Sequence, residues 1–119
     1  MLFNRCLYAL LFIVVLSGCS IIRSSDYDSF AQCLAEKGVV MYGAFWCPHC
    51  EAQKLRFGDS FQYMTYVECS LPDRSGQTQV CIDAKIESYP TWEFSNGSRI
   101  EGEIELIGLA KITGCNMAN

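Results

Sequence analysis

The sequence predicts one α/β domain: a small central mixed sheet of four strands flanked by helices. Three observations predict it. Residues 39–45 form an unbroken apolar run, the pattern of a strand buried on both faces. Asn96-Gly97, between two strand-like segments, is a hairpin signal. The segments follow the order α, β, α, β, α, β-hairpin, α, which suits a strand–helix–parallel strand unit followed by a hairpin. The 119 residues leave room for one domain, and an apolar share of 50% is too high for a disordered chain. A net charge of −4 with no basic patch gives nucleic-acid binding no support.

The first residues read as an export signal. Arg5 precedes the apolar run Leu7 to Leu16, ten residues spanning about 15 Å as a helix, half a bilayer core. That is the size of a signal-peptide core. Leu16-Ser17-Gly18-Cys19 resembles the bacterial lipobox, in which cleavage precedes the cysteine and its sulfur takes a diacylglyceryl group. The expected organisation is a lipoprotein signal over 1–18, a tether over 19–28 from lipidated Cys19, and the domain over 29–119. Several acyl chains, at about 0.8 kcal/mol per buried CH₂, would hold it stably to a membrane of the cell envelope. The domain would face the periplasm or another extracytoplasmic space, where disulfides persist. An ordinary cleaved signal, or a short uncleaved anchor, is the competing reading.

Within the domain, Asp28 or Ser29 can cap a helix that carries Phe30, Cys33, Leu34 and Lys37 and stops at Gly38. This helix is an addition at the N-terminal side of the sheet. The apolar run 39–45 is the first strand. Glu51 to Phe57 continues as a helix and ends at Gly58. Tyr63 to Cys69, rich in β-branched and aromatic residues, is the second strand. Ser70 to Gln77 is a loop, Thr78 to Ile86 a short helix, and Ser88-Tyr89-Pro90 breaks it. Thr91–Ser95 and Ser98–Glu103 form the hairpin. Glu105 to Thr113 is a last helix closed by Gly114. Tyr42, Phe45, Phe57, Phe61, Tyr63 and Phe94 are expected in the core. Glu101, Glu103 and Glu105 are expected on a solvated edge and helix start rather than at a metal site.

Cys47-Pro48-His49-Cys50 sits where the buried strand turns into a helix. A cysteine at a helix N-terminus meets unpaired N–H groups and the positive dipole end, which favour a thiolate. The second cysteine lies one turn inward, within reach of a disulfide. Pro48 supplies a fixed φ for the first turn. His49 can offer the Cys47 sulfur a positive or hydrogen-bonding partner. The competing readings are an inert disulfide or half a zinc site. Zinc needs two further ligands, which would have to be Cys69 and Cys81.

Trp46-Cys47-Pro48-His49-Cys50 after an apolar strand, with Tyr89-Pro90-Thr91 opening a later one, resembles the thioredoxin superfamily. Gly43-Ala44-Phe45-Trp46, Tyr66-Val67-Glu68-Cys69 and Tyr89-Pro90-Thr91-Trp92 extend the likeness. They resemble the thioredoxin-like domain fused to vitamin K epoxide reductase homologues in cyanobacteria and plants. The resemblance covers about residues 29–115 and implies a thioredoxin-like fold. It makes Cys47 the exposed nucleophile and Cys50 the resolving thiol. It makes Pro90 cis, with Thr91 backbone groups pairing with a substrate strand; an ordinary trans turn is the alternative. Trp46 and Tyr89 would border the substrate. Cys69 and Cys81 would form a second disulfide, structural or electron-carrying. Elimination then leaves Cys33 with Cys115, bonded or as two free thiols.

The sequence departs from the family in one respect: thioredoxins often carry a buried acid six residues before the first cysteine, and here that residue is Met41. Proton transfer then falls to water, Glu51 or Glu68. The implied activity is thiol–disulfide exchange without a cofactor and without a metal. Its substrates would be protein thiols, with re-oxidation by a membrane quinone-linked thiol oxidase in trans. A disulfide reductase or isomerase, and a non-catalytic metal-binding lipoprotein, are the alternatives.

Overall fold

The computed structural model describes residues 27–117. The expected signal over 1–18, the lipidation residue Cys19 and most of the 19–28 tether lie outside them. Among the described residues no helix is long and apolar enough to cross a membrane.

At the centre is β1 (Val40–Gly43), drawn from the continuous apolar run. It pairs in parallel with β2 (Thr65–Glu68) and antiparallel with β3 (Thr91–Glu93), which pairs antiparallel with β4 (Arg99–Glu101). The order β2-β1-β3-β4 is the expected mixed four-stranded sheet. The helices are α1 (Asp28–Glu36), α2 (Pro48–Phe57), α3 (Gln79–Asp83) and α4 (Leu106–Thr113). Together they give an α/β architecture consistent with the thioredoxin-like fold.

Alternation along β1 sends successive side chains to opposite faces. Met41 joins Phe30, Leu34, Phe57, Trp92, Leu106 and Leu109 in the larger core, supplied by α1, α2 and α4. Tyr42 joins Cys69, Cys81 and Ile86 in a smaller core beside α3. Phe30 stacks on Phe57 at 6.1 Å between ring centroids, and Phe57 meets Trp92 at 6.4 Å. Two covalent bridges reinforce this. Cys33 is bonded to Cys115, with 5.9 Å between Cα atoms, and Cys69 to Cys81, with 5.4 Å.

Several local expectations change. Neither Asp28 nor Ser29 caps α1. Tyr27 stands at the N-cap without a side-chain cap, and the Asp28 carboxylate instead accepts the Ser60 hydroxyl at 2.6 Å. Ser60 belongs to a 3-10 segment, Gly58–Tyr63, that fills the space before β2. The helix expected over 78–86 is only five residues long. Lys85 turns left-handed at φ 57°, and the Ile86 N–H folds back onto the Cys81 carbonyl at 3.0 Å. That ending drops Ile86 into the smaller core. Asn96-Gly97 does make the hairpin turn: Gly97 takes φ 81° and its N–H bonds the Phe94 carbonyl at 2.8 Å. Of the six aromatic residues expected in the core, Phe45 and Tyr63 are exposed instead, because both fall just outside the strands.

Candidate active site

The site lies where β1 ends. Ala44 to Trp46 make a tight turn, with the Cys47 N–H on the Ala44 carbonyl at 3.0 Å. Cys47 then stands at the N-cap of α2 in extended conformation, with Pro48 in the first turn. Cys50 is one turn further in. Both thiols are free. Cys47 keeps 6% exposure and Cys50 none. The resemblance implied an exposed nucleophile; the Cys47 sulfur is instead almost covered, because the segment before β3 packs over it.

That segment holds Pro90, whose peptide bond from Tyr89 is cis. The Cys47 thiol donates to the Tyr89 carbonyl at 3.6 Å. Trp46 is 43% exposed. Its ring meets Tyr89 edge-on at 6.0 Å, and its indole N–H donates to the Ser70 hydroxyl at 2.8 Å. The Gln77 amide holds the Tyr89 hydroxyl from the far side at 2.5 Å. Trp46, Cys47, Tyr89 and Pro90 therefore meet at one place. Thr91 does not offer its backbone to a further strand. It is already paired with Tyr42 on one side and Glu101 on the other. Its hydroxyl donates to the Ser88 carbonyl at 2.7 Å. The backbone group that faces the sulfur belongs to Tyr89.

His49 also departs from expectation. Its ring is 71% exposed and its Nδ1 lies 2.8 Å from a Glu103 carboxylate oxygen rather than against the Cys47 sulfur. Glu103 is held in turn by Arg56 at 3.1 Å, and Arg56 also reaches Glu105 at 2.5 Å. The His49 hydrogen bond, then the Arg56 pair, hold the Glu103 carboxyl below its ordinary range. Glu103 is thus a structural partner of the site and no free edge acid. Only its distance from His49 in sequence hid it.

Burial pushes the Cys50 thiol up to about 12, against the pull of the Ala44 backbone and the more distant Lys54 ammonium. Met41, at the position of the expected acid, is fully buried and apolar. Glu51 faces outward and pairs with Lys54 at 3.3 Å. Glu68 lies at the end of β2, accepting the Tyr66 hydroxyl at 2.8 Å and the Ser70 N–H at 2.8 Å. The zinc reading loses its ligands here, since Cys69 and Cys81 are bonded to each other. Among the described residues no group of three His, Cys, Asp or Glu side chains could hold a metal ion.

No protein-family model matches the chain. It is 41% identical over 102 residues to the thiol-disulfide oxidoreductase LTO1 of Arabidopsis thaliana, covering 79% of this chain and 27% of that protein. It is 34% identical over 84 residues to the thioredoxin domain-containing protein 5 homolog of Drosophila melanogaster, covering 60% of this chain and 19% of that protein. The chain therefore spans about a quarter or less of the length of these relatives. Sheet, helices and relatives together support a place for the chain in the thioredoxin-like superfamily, and its redox function with it.

Proposed function

We propose that the protein is an exported thiol–disulfide oxidoreductase that passes a disulfide from Cys47–Cys50 to protein thiols. The observation that carries this reading is the pair of free thiols at the head of α2, with the Cys47 sulfur against the carbonyl that precedes cis Pro90. In the oxidised enzyme a substrate thiolate attacks Cys47 Sγ. The Cys47–Cys50 bond breaks and Cys50 keeps the electron pair. A second substrate thiolate then attacks the substrate sulfur of the mixed disulfide and releases Cys47. Two electrons pass from substrate to enzyme, and the substrate leaves with a disulfide. Trp46 and Tyr89 border the incoming chain. A quinone-linked membrane oxidase, such as a vitamin K epoxide reductase homologue, takes the electrons in trans. Lipid on Cys19 holds the domain near that partner.

The test is to incubate the oxidised protein with a reduced, unfolded disulfide protein. Disulfides appear in the substrate in proportion to enzyme consumed, and Cys47→Ser abolishes transfer. No transfer from the wild type overturns the reading. Faster reduction of insulin than oxidation of the unfolded substrate reverses the direction.

A further inference from the structure

Each catalytic cycle proposed above makes Cys50 gain and lose a proton, yet its sulfur is fully buried. A thiolate there lacks solvation, and burial pushes the thiol up to about 12. When Cys50 attacks a mixed disulfide on Cys47, its proton must leave through neighbouring groups. The titratable groups that face it are Cys47 and Lys54 from α2 and Tyr66 from β2, with Glu51 acting on Tyr66 from beyond Lys54.

Gly43 shows where the route runs. It is the last residue of β1, paired with Glu68, and its φ is not positive, so its conformation does not demand a glycine. A Cβ on it would stand 3.0 Å from Cys50 Sγ, 2.9 Å from Tyr66 Cε2 and 3.2 Å from the Tyr66 hydroxyl. The missing side chain leaves open the space that sulfur and phenol both border. The Tyr66 hydroxyl donates to Glu68 Oε2 at 2.8 Å. Glu68 Oε1 accepts the N–H groups of Ser70 at 2.8 Å and Phe45 at 3.2 Å, which fix the carboxylate from two loops. Lys54 sits over the Tyr66 ring at 4.3 Å from its centroid. Cys50 is sealed, but Tyr66 and Glu68 are only half-buried.

We propose that Tyr66 and Glu68 are the proton relay of Cys50, working through the gap that Gly43 leaves open. This deepens the exchange reading and rests on it. As Cys50 Sγ attacks Cys47 Sγ, its proton passes to the Tyr66 oxygen while the Tyr66 proton passes to Glu68 Oε2. The Cys47–Cys50 bond forms, the mixed disulfide breaks, and the departing sulfur takes the electron pair as a thiolate. Glu68 then yields its proton to water. Opening the Cys47–Cys50 bond runs the same path backwards.

The test uses the full reduced chain and Ellman's disulfide as probe. Attack by Cys47 releases one thionitrobenzoate, and attack by Cys50 on the mixed disulfide releases a second. Tyr66→Phe and Glu68→Gln keep the first phase, which reports an intact fold. Each slows the second on the order of 100-fold at neutral pH, the usual worth of a general base. The double variant is no slower than the slower single one. The wild-type second phase is level from neutral pH upward, whereas in the variants it rises about tenfold per pH unit, as for an unassisted thiol. Wild-type rates in both variants, or additive losses, overturn the relay. A wild type that releases only one thionitrobenzoate overturns the exchange reading along with it.

Discussion

Cys47 and Cys50 are the same side chain in two surroundings. Cys47 retains a sliver of surface beside the Tyr89 carbonyl, whereas Cys50 has none. The Cys50 environment has a consequence for stability. Its folded-state pKa, about 12, lies above its unfolded value, so between about pH 9 and 12 the unfolded chain releases a proton that the fold keeps. Stability of the reduced protein is therefore unaffected by this group below that window and falls as pH rises through it. Urea midpoints measured from pH 8 to 11 should fall less steeply in Cys50→Ala than in the reduced wild type. Equal slopes would sink the assignment. The two cysteines and Pro90 were legible in the sequence because their meaning is local: a CxxC at a strand–helix junction and a proline opening a strand. The turn of His49 toward Glu103 was not, since that partner is 54 positions away and nothing near His49 announces it.

Helix α2 carries the cysteines, and one buried amide aligns it. Gln53 is fully buried. Its Nε2 donates to the Ile104 carbonyl at 3.0 Å and its Oε1 accepts the Ile104 N–H at 2.7 Å. This pair of hydrogen bonds from amide to backbone anchors the segment that also carries Glu103 and Glu105. Gln53→Ala leaves two backbone groups without partners and opens a cavity. Its expected cost is about 2–5 kcal/mol, read as a lower urea midpoint at unchanged slope. A loss below about 0.5 kcal/mol would show the contact to be idle, given the usual cost of an unmade buried hydrogen bond. The apolar run located β1, β-branched and aromatic residues located β2, and Asn96-Gly97 located the hairpin, because each signal lies in neighbouring residues. The sequence reading overran α3, because residues 84–86 satisfy helical spacing while Lys85 leaves the helix to bury Ile86. The capping pattern at Asp28 misled for a similar reason: Ser60, distant in sequence, takes the carboxylate first.

The two structural bridges act over very different lengths. Cys69–Cys81 closes a ring with a separation of 12, and Cys33–Cys115 one of 82. On the loop-entropy model the longer ring stabilises by about 4.5 kcal/mol. The variant with both Cys33→Ser and Cys115→Ser should unfold at correspondingly lower urea, with Cys47 still reacting with Ellman's disulfide below the transition. An unchanged midpoint would show that the folded packing alone holds the chain ends. In the sequence the pair is only what remains once the other cysteines are placed, bonded or free, since no periodicity reveals which helix ends come together.

Cys33–Cys115 also decides how force and damage travel through the molecule. It fastens α1 to a residue two positions beyond α4, and the other described elements hang within that ring. A pull applied outside the ring, one hand on each end of the chain, runs through a covalent sulfur bond and bypasses the sheet. A single peptide-bond cut anywhere between the two residues leaves one connected molecule until a reductant arrives. Both protections last only while the Cys33–Cys115 bond stays oxidised.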